Sequence, residues 1–194
     1  MEKLNVGILL FDDVEVLDFA GPFEVFSRTR LTSGAESRRN EDSAPFQVFT
    51  VAKTKQNIRA VGNLVVEPRY SFSNAARIDI VVVPGGWGSR KVMEDPEVLA
   101  WVQRVAQSAK YTTSVCTGAL VLARAGLLAG RRATTHWAAY DLLESLGEGV
   151  KVIRDVRVVK DGIFSSAGVS AGIDMAFALV QEICGASVAN ETAH

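Results

Sequence analysis

Cysteine and histidine are scarce in this chain. Among 194 residues there are two cysteines, Cys116 and Cys184, and two histidines, one of them the last residue. Two cysteines are too few for a disulfide scaffold, which points to a cytoplasmic setting, and two histidines, one of them terminal, argue against a histidine-rich metal site. No apolar run approaches the roughly 18 residues of a membrane span. The chain opens with Met1-Glu2-Lys3 directly before a strand, so no signal peptide is read either. Net charge is lacking too: 21 Lys and Arg stand against 22 Asp and Glu, a formal charge of -1. That balance makes no electrostatic case for nucleic acid or an anionic membrane surface, and no basic stripe argues otherwise. What is present is 48% hydrophobic residues, enough to bury a substantial core, read as one domain over residues 1–194.

The single internal feature that carries chemistry is the run Thr112-Thr113-Ser114-Val115-Cys116-Thr117-Gly118-Ala119-Leu120-Val121-Leu122-Ala123. A β-branched segment meets an apolar helical segment at one cysteine, with glycine two residues later, which is the layout of a nucleophile elbow. The sharp turn lifts the side chain clear of the backbone, Gly118 avoids a clash, and the helix start directs amides and a positive dipole end at the sulfur, favouring thiolate. The competing reading is a small buried hydrophobe, the common fate of a free cysteine. A second turn shifts the balance: Ile78-Asp79-Ile80-Val81-Val82-Val83-Pro84-Gly85-Gly86-Trp87-Gly88 reads as a buried parallel strand opening into a loop of exposed amides. Two such strand ends side by side form an oxyanion hole, with Gly85, Gly86, Trp87 and Gly88 beside Cys116 and the Thr117 amide.

The remaining pattern alternates. Leu4 to Phe11 and Pro45 to Ala52 read as strands, separated by a first helix and by a polar stretch over residues 28–44 expected to be an exposed, mobile loop. Gly21 as cap, Pro22 at the first helical position and Glu24 at the third give that helix its expected start. Residues 61–67 suggest a hairpin or edge strand. Asp95-Pro96 caps a helix whose apolar face includes Val98, Val102 and Val105. A helix over 119–128 ends at Gly130, another over 138–146 closes at Gly147, and 150–159 with 163–166 form an antiparallel hairpin around Asp161-Gly162. The last helix starts near Ser170, with Ile173, Phe177, Val180 and Cys184 as its core stripe, and residues 186–194 read as a flexible tail. The alternation implies an α/β fold with a mostly parallel sheet sandwiched between helices.

Five segments together resemble the ThiJ/PfpI superfamily, which has the class I glutamine amidotransferase-like fold. They are Phe11 to Pro22, Pro84 to Arg90, Ser114 to Gly118, Gly126 to Trp137, and Ala171-Gly172-Ile173-Asp174. Within it the pattern is similar to the isocyanide (isonitrile) hydratase branch and to the sensor domains of AraC-type regulators. The resemblance implies a flavodoxin-like sandwich, usually a homodimer, whose elbow cysteine faces a carboxylate after the first strand, here Asp18. Asp18 is already conspicuous among Val14, Val16, Leu17, Phe19 and Ala20; its alternative role is a helix cap. Gly168, before the last helix, joins the oxyanion and substrate-binding group. The departures narrow the chemistry. Thr117 stands where PfpI-type proteases carry histidine, and His136 belongs to no His-x-Glu pair of the amidotransferase kind, so proteolysis and glutamine hydrolysis are disfavoured. His136 reads chiefly as a loop-fixing residue. Trp87 and Trp137 could line a pocket, although core packing is the expected fate of at least one.

The expected function is cofactor-free, metal-free hydration of a small-molecule isocyanide to a formamide, with Cys116 as nucleophile, Asp18 as proton carrier and Thr117 at the oxyanion. The alternatives are a stand-alone ligand or redox sensor, or a glyoxalase or deglycase acting on small aldehydes.

Overall fold

Ile80-Val81-Val82-Val83 is fully buried on both faces, as a continuous apolar β-branched run demands of a central parallel strand. The computed structural model describes residues 2–194. In chain order the elements are β1 (Leu4–Leu9), α1 (Val16–Arg28), β2 (Phe46–Ala52), β3 (Ile58–Arg59), β4 (Val65–Val66), β5 (Tyr70–Ser71), β6 (Ile80–Val83), α2 (Ser89–Val92), α3 (Pro96–Ser108), β7 (Tyr111–Val115), α4 (Gly118–Arg124), β8 (Arg132–Ala133), α5 (Tyr140–Leu146), β9 (Lys151–Val152), β10 (Val158–Lys160), β11 (Phe164–Ser166), α6 (Ala171–Cys184) and α7 (Ala186–Ala193).

Seven strands form the central sheet in the order β10-β11-β7-β6-β1-β2-β5, parallel at every pairing except β10 with β11. This is the flavodoxin-like arrangement expected from the alternation. β1 leads to β2 on one side of it and β6 to β7 on the other. Right-handed crossovers running in opposite directions put their helices on opposite faces. Accordingly α1, α6 and α7 pack together, while α2, α3 and α5 gather around α4. The point where the direction reverses, between β1 and β6, is where such sheets open a crevice at their carboxyl ends.

Several local expectations hold. Asp95 caps α3, its carboxylate accepting from the Glu97 amide at 2.9 Å, with Pro96 at the first helical position. The Asp161-Gly162 turn joins β10 to β11; the hairpin expected over 61–67 is instead made by β3, which precedes that segment, and β4 within it, with a 3-10 turn over Val61–Asn63 between them. Residues 150–152 instead leave the predicted hairpin, because β9 pairs with β8 in a separate parallel ribbon.

Other expectations are overturned. α1 begins at Val16, so Gly21 and Pro22 lie inside it. Helical continuity past Pro22 costs a backbone hydrogen bond, offset by burying Phe19, Val25 and Phe26. α4 stops at Arg124 rather than near Leu128. The 28–44 segment is exposed around residues 31–36, but Arg30 is buried within it. Its guanidinium donates to the carbonyls of Ser27, Thr29, Ser37 and Asn40 and to Glu41, tying both limbs of the loop together. The predicted tail is helical: α7 packs against α1 and α6, Ala189 is buried, and Arg38 donates to the Glu191 carbonyl. On α6 the deeply buried face is Ala171, Met175, Ala176, Leu179 and Val180, whereas Ile173, Phe177 and Cys184 are half-buried along its margin.

Candidate active site

Cys116 occupies the turn between β7 and α4 with φ of 55°, a left-handed conformation that few non-glycine residues adopt. The turn is held from both sides. The Cys116 amide donates to the Ser166 carbonyl at 3.0 Å, and the Thr135 hydroxyl donates to the Cys116 carbonyl at 2.8 Å. Gly118 is required: a Cβ there would lie 2.0 Å from the Val83 carbonyl oxygen. The elbow expected from the strand–cysteine–helix pattern is therefore present.

Asp18 reaches the same point from the first turn of α1. It is fully buried, with Oδ2 accepting from the Gly85 amide at 3.0 Å and Oδ1 from the Val169 amide at 2.9 Å, and it is near enough to Cys116 for each to shift the other's titration. Its alternative role as a helix cap fails because it stands inside the helix, with Glu15 at the cap position. Burial raises the Asp18 carboxyl to about 6, against the opposing pull of the two amides and of Cys116. Burial likewise pushes the Cys116 thiol up to about 12; the Asp18 charge adds to this and the Thr117 amide opposes it. This corrects the expectation of a helix-stabilised thiolate. Cys116 is only 7% exposed, and desolvation outweighs the start of a seven-residue helix. At neutral pH the pair holds one proton, on sulfur.

The glycine-rich loop departs from expectation in detail. Its amides face the elbow, but most already have acceptors: Gly85 donates to Asp18, Gly86 to Thr117 Oγ1 at 3.1 Å, and Gly88 to the Asp13 carbonyl at 3.2 Å. The Trp87 amide has no acceptor among the described residues. Gly86 and Gly88 also press against the β1–α1 loop. A Cβ on either would come within 2.4 Å of the Asp13 carbonyl oxygen or 1.9 Å of that of Asp12. Gly168 passes directly over the Cys116 sulfur.

A pocket of about 360 Å³ opens above the sulfur, lined by Glu15, Gly86, Trp87, Arg90, Cys116, Thr117, His136, Trp137, Ala138 and Val169. Trp87 and Trp137 are 73% and 72% exposed, so neither is core; the Arg90 guanidinium covers one face of Trp87 at 4.7 Å. His136 accepts from the Ala138 amide at 3.3 Å, consistent with a loop-fixing residue that also borders the pocket. Ser89, absent from the sequence-derived site, is fully buried beneath the loop and bonds to Thr117. A serine after a glycine turn carries no local signal of such a contact. Cys184 lies away from this pocket on α6, where burial raises its thiol. Among the described residues, no cluster of three His, Cys, Asp or Glu side chains is arranged to hold a metal, and no helix is long and apolar enough to cross a membrane.

The raised Asp18 carboxyl has a measurable consequence for stability. Its folded value of about 6 exceeds the ordinary 3.8, so the folded protein binds this proton more tightly than the unfolded chain. The resulting stabilisation is complete below the unfolded value and is lost as pH rises through the folded one, an amount of about 3 kcal/mol. Denaturant titrations of wild type and Asp18→Asn should therefore diverge by roughly this much between about pH 7 and pH 4, with wild type gaining as pH falls. A gap that does not change over that range would mean that the carboxyl is not desolvated.

The DJ-1/PfpI family model matches residues 5–182. The chain is 41% identical to isonitrile hydratase of Pseudomonas putida over 188 residues, covering 96% of this chain and 75% of that protein. It is 26% identical over 176 residues to the HTH-type transcriptional regulator GbdR of Pseudomonas aeruginosa, covering 91% of this chain but 46% of the regulator. Among solved structures, a THiJ/PfpI family protein from Pseudomonas syringae superposes with a TM-score of 0.86 at 29% identity, covering 99% of this chain and 74% of that one. With the elbow, the glycine loop and the sheet order in agreement, the chain belongs to the DJ-1/PfpI family.

Proposed function

We propose that the protein hydrates isocyanides to N-substituted formamides, with Cys116 as nucleophile and Asp18 as proton carrier. The observation that carries this reading is a fully buried carboxyl, held by two backbone amides, against an elbow thiol in a pocket walled by aromatic rings. The similarity to isonitrile hydratase over nearly the whole chain supports the choice of substrate.

In the first step the Cys116 sulfur attacks the terminal carbon of R–N≡C while Asp18 removes the S–H proton. Asp18 then delivers that proton to the same carbon, giving the thioimidate R–N=CH–S–Cys116 and regenerating the carboxylate. Water adds to this carbon; one of its protons goes to nitrogen, and the other returns to sulfur as the C–S bond breaks. The products are R–NH–CHO and the free thiol. The amides of Trp87 and Thr117 are the donors for the oxyanion of the second step. Trp87 and Trp137 supply apolar surface for R.

Purified protein given an alkyl isocyanide, glyoxal, a peptide amide and glutamine side by side should consume the isocyanide alone and form the formamide. Because Asp18 must be ionised to accept the thiol proton, kcat/KM should rise with pH through an acid limb near the Asp18 value of about 6. Preference for glyoxal, or a rate that falls as pH rises through this range, would overturn the assignment.

A ligand-sensing role is the second reading. It is supported by the match to GbdR, a transcriptional regulator, across 91% of this chain. In that case the pocket binds a small molecule that Cys116 does not turn over. A homodimer in the cytoplasm fits either role.

A further inference from the structure

Arg90 is the cation of the pocket above Cys116, and it is held in place without being used. Its amide donates to the Trp87 carbonyl at 3.4 Å, and its guanidinium carbon lies 4.7 Å from the centre of the Trp87 ring, so residue 90 is tied to the glycine-rich loop through both main chain and side chain. The ring contact restrains the guanidinium but occupies none of its N–H donors. Among the described residues no hydrogen-bond acceptor or carboxylate takes them. The acidic residues nearest along the chain are committed elsewhere, Glu94 to Arg124 at 2.7 Å and Asp95 to Lys53 at 2.8 Å. Arg90 is half-buried and lines the same pocket as the nucleophile. A restrained, unpaired guanidinium is a fork for a carboxylate, which it meets with two parallel hydrogen bonds. The acidic groups of the site, Asp18 and Glu15, gather at the nucleophile, with Glu15 close enough to add to the upward push on the Asp18 carboxyl. A carboxylate on the substrate is repelled from them and drawn to Arg90, which leaves the opposite end of the molecule for the sulfur.

We propose that Arg90 is the specificity-determining residue of the pocket and that R carries a carboxylate: the protein takes short isocyano carboxylates, ⁻OOC–(CH₂)ₙ–N≡C, and releases the corresponding N-formyl amino carboxylates. The bonds made and broken are those of the hydration described above. One water is consumed, the isocyano carbon gains the oxygen and one hydrogen, nitrogen gains the other hydrogen, and the carboxylate passes through unaltered. The assignment rests on the hydration reading and deepens it by naming R. A neutral alkyl isocyanide meets the same aromatic walls but leaves Arg90 without a partner, so it is the poorer substrate.

The test compares isocyano carboxylates of increasing chain length, beginning with isocyanoacetate, each against its own methyl ester, which has nearly the same shape and no charge. For the best length, kcat/KM should favour the carboxylate by about 5- to 20-fold, as expected for a hydrogen-bonded ion pair at a half-exposed site. The preference should shrink as salt is added. Arg90→Gln should bring the ratio of carboxylate to ester close to one. Arg90→Lys, which keeps the charge but not the fork, should fall between the two. Binding is read separately in Cys116→Ala by calorimetry with N-formylglycine and its longer homologues against their methyl esters, and the same preference should appear there and vanish when Arg90→Gln is added. Isocyanide turnover with esters preferred at every length would overturn the role of Arg90 while leaving hydration in place. Carboxylate-selective binding that depends on Arg90, in a protein that consumes no isocyanide, would support the anion subsite and locate the failure in the hydration reading.

Discussion

Cys116→Ala should yield no formamide from an alkyl isocyanide above the uncatalysed background, and Cys116→Ser should be nearly as inert. The pocket offers no second thiol for the carbon, since Cys184 lies away from it on α6. The neighbouring hydroxyls of Thr117 and Ser89 are bonded to one another, and the Gly86 peptide occupies their remaining sites. Serine at position 116 would present an alcohol to a carboxylate whose value is about 6, far too weak a base to ionise it. Neither substitution disturbs the elbow, whose left-handed turn is held by the amide and carbonyl of residue 116 rather than by its side chain. Turnover near the wild-type rate in Cys116→Ala would remove the thioimidate mechanism. Wild-type protein that turns nothing over yet binds small molecules as well as Cys116→Ala would establish the sensing role in its place.

Asp18→Asn should lose about 10²- to 10⁴-fold in kcat, the usual contribution of a general acid or base. The amide keeps the outline of the carboxylate but cannot carry the proton from sulfur to carbon. The variant also faces two donors, the amides of Gly85 and Val169, with only one acceptor oxygen, so some stability is lost as well. Alkylation separates the two effects. The Asp18 charge helps hold the Cys116 thiol up, so removing it should make the sulfur more reactive to iodoacetamide even as turnover collapses. Parallel loss of both would mean that the site has simply come apart. His136→Ala should retain most activity, since its nitrogen serves the Ala138 amide in its own loop.

The parts of the site that could be read along the chain are those whose cause is local. A β-branched strand running into an apolar helix through Cys116 and Gly118 states its own geometry. A charged Asp18 in an otherwise apolar segment announces a special environment. Local preference misleads where tertiary contacts outweigh it. Gly21-Pro22-x-Glu24 has the chemistry of a helix start, but the core contacts of Phe19, Val25 and Phe26 carry the helix through the proline. α7 is built of small and polar residues that resemble a tail, and its helix is held by packing on α1 and α6. The raised Cys116 thiol has the same origin: a helix start is visible in sequence, whereas the depth of burial that overrides it is not. Nor does the order of residues reveal that Gly85, Gly86 and Gly88 spend their amides inside the protein, or that Ser89 meets Thr117, because those bonds join segments about 30 residues apart or more.

The contact of Gly86 and Gly88 with the carbonyls of Asp13 and Asp12 bears on how such a protein could change its ligand. The two loops that frame the nucleophile meet backbone to backbone, without room for a single methyl group. Neither can shift without the other, so the floor of the site is set when the chain folds, not when a ligand arrives. New selectivity has to come from the walls, through exchanges at Trp87, Trp137, Ala138 and Val169 that leave the main chain where it is. The same rigid floor is compatible with either role proposed for the pocket, the walls deciding between them.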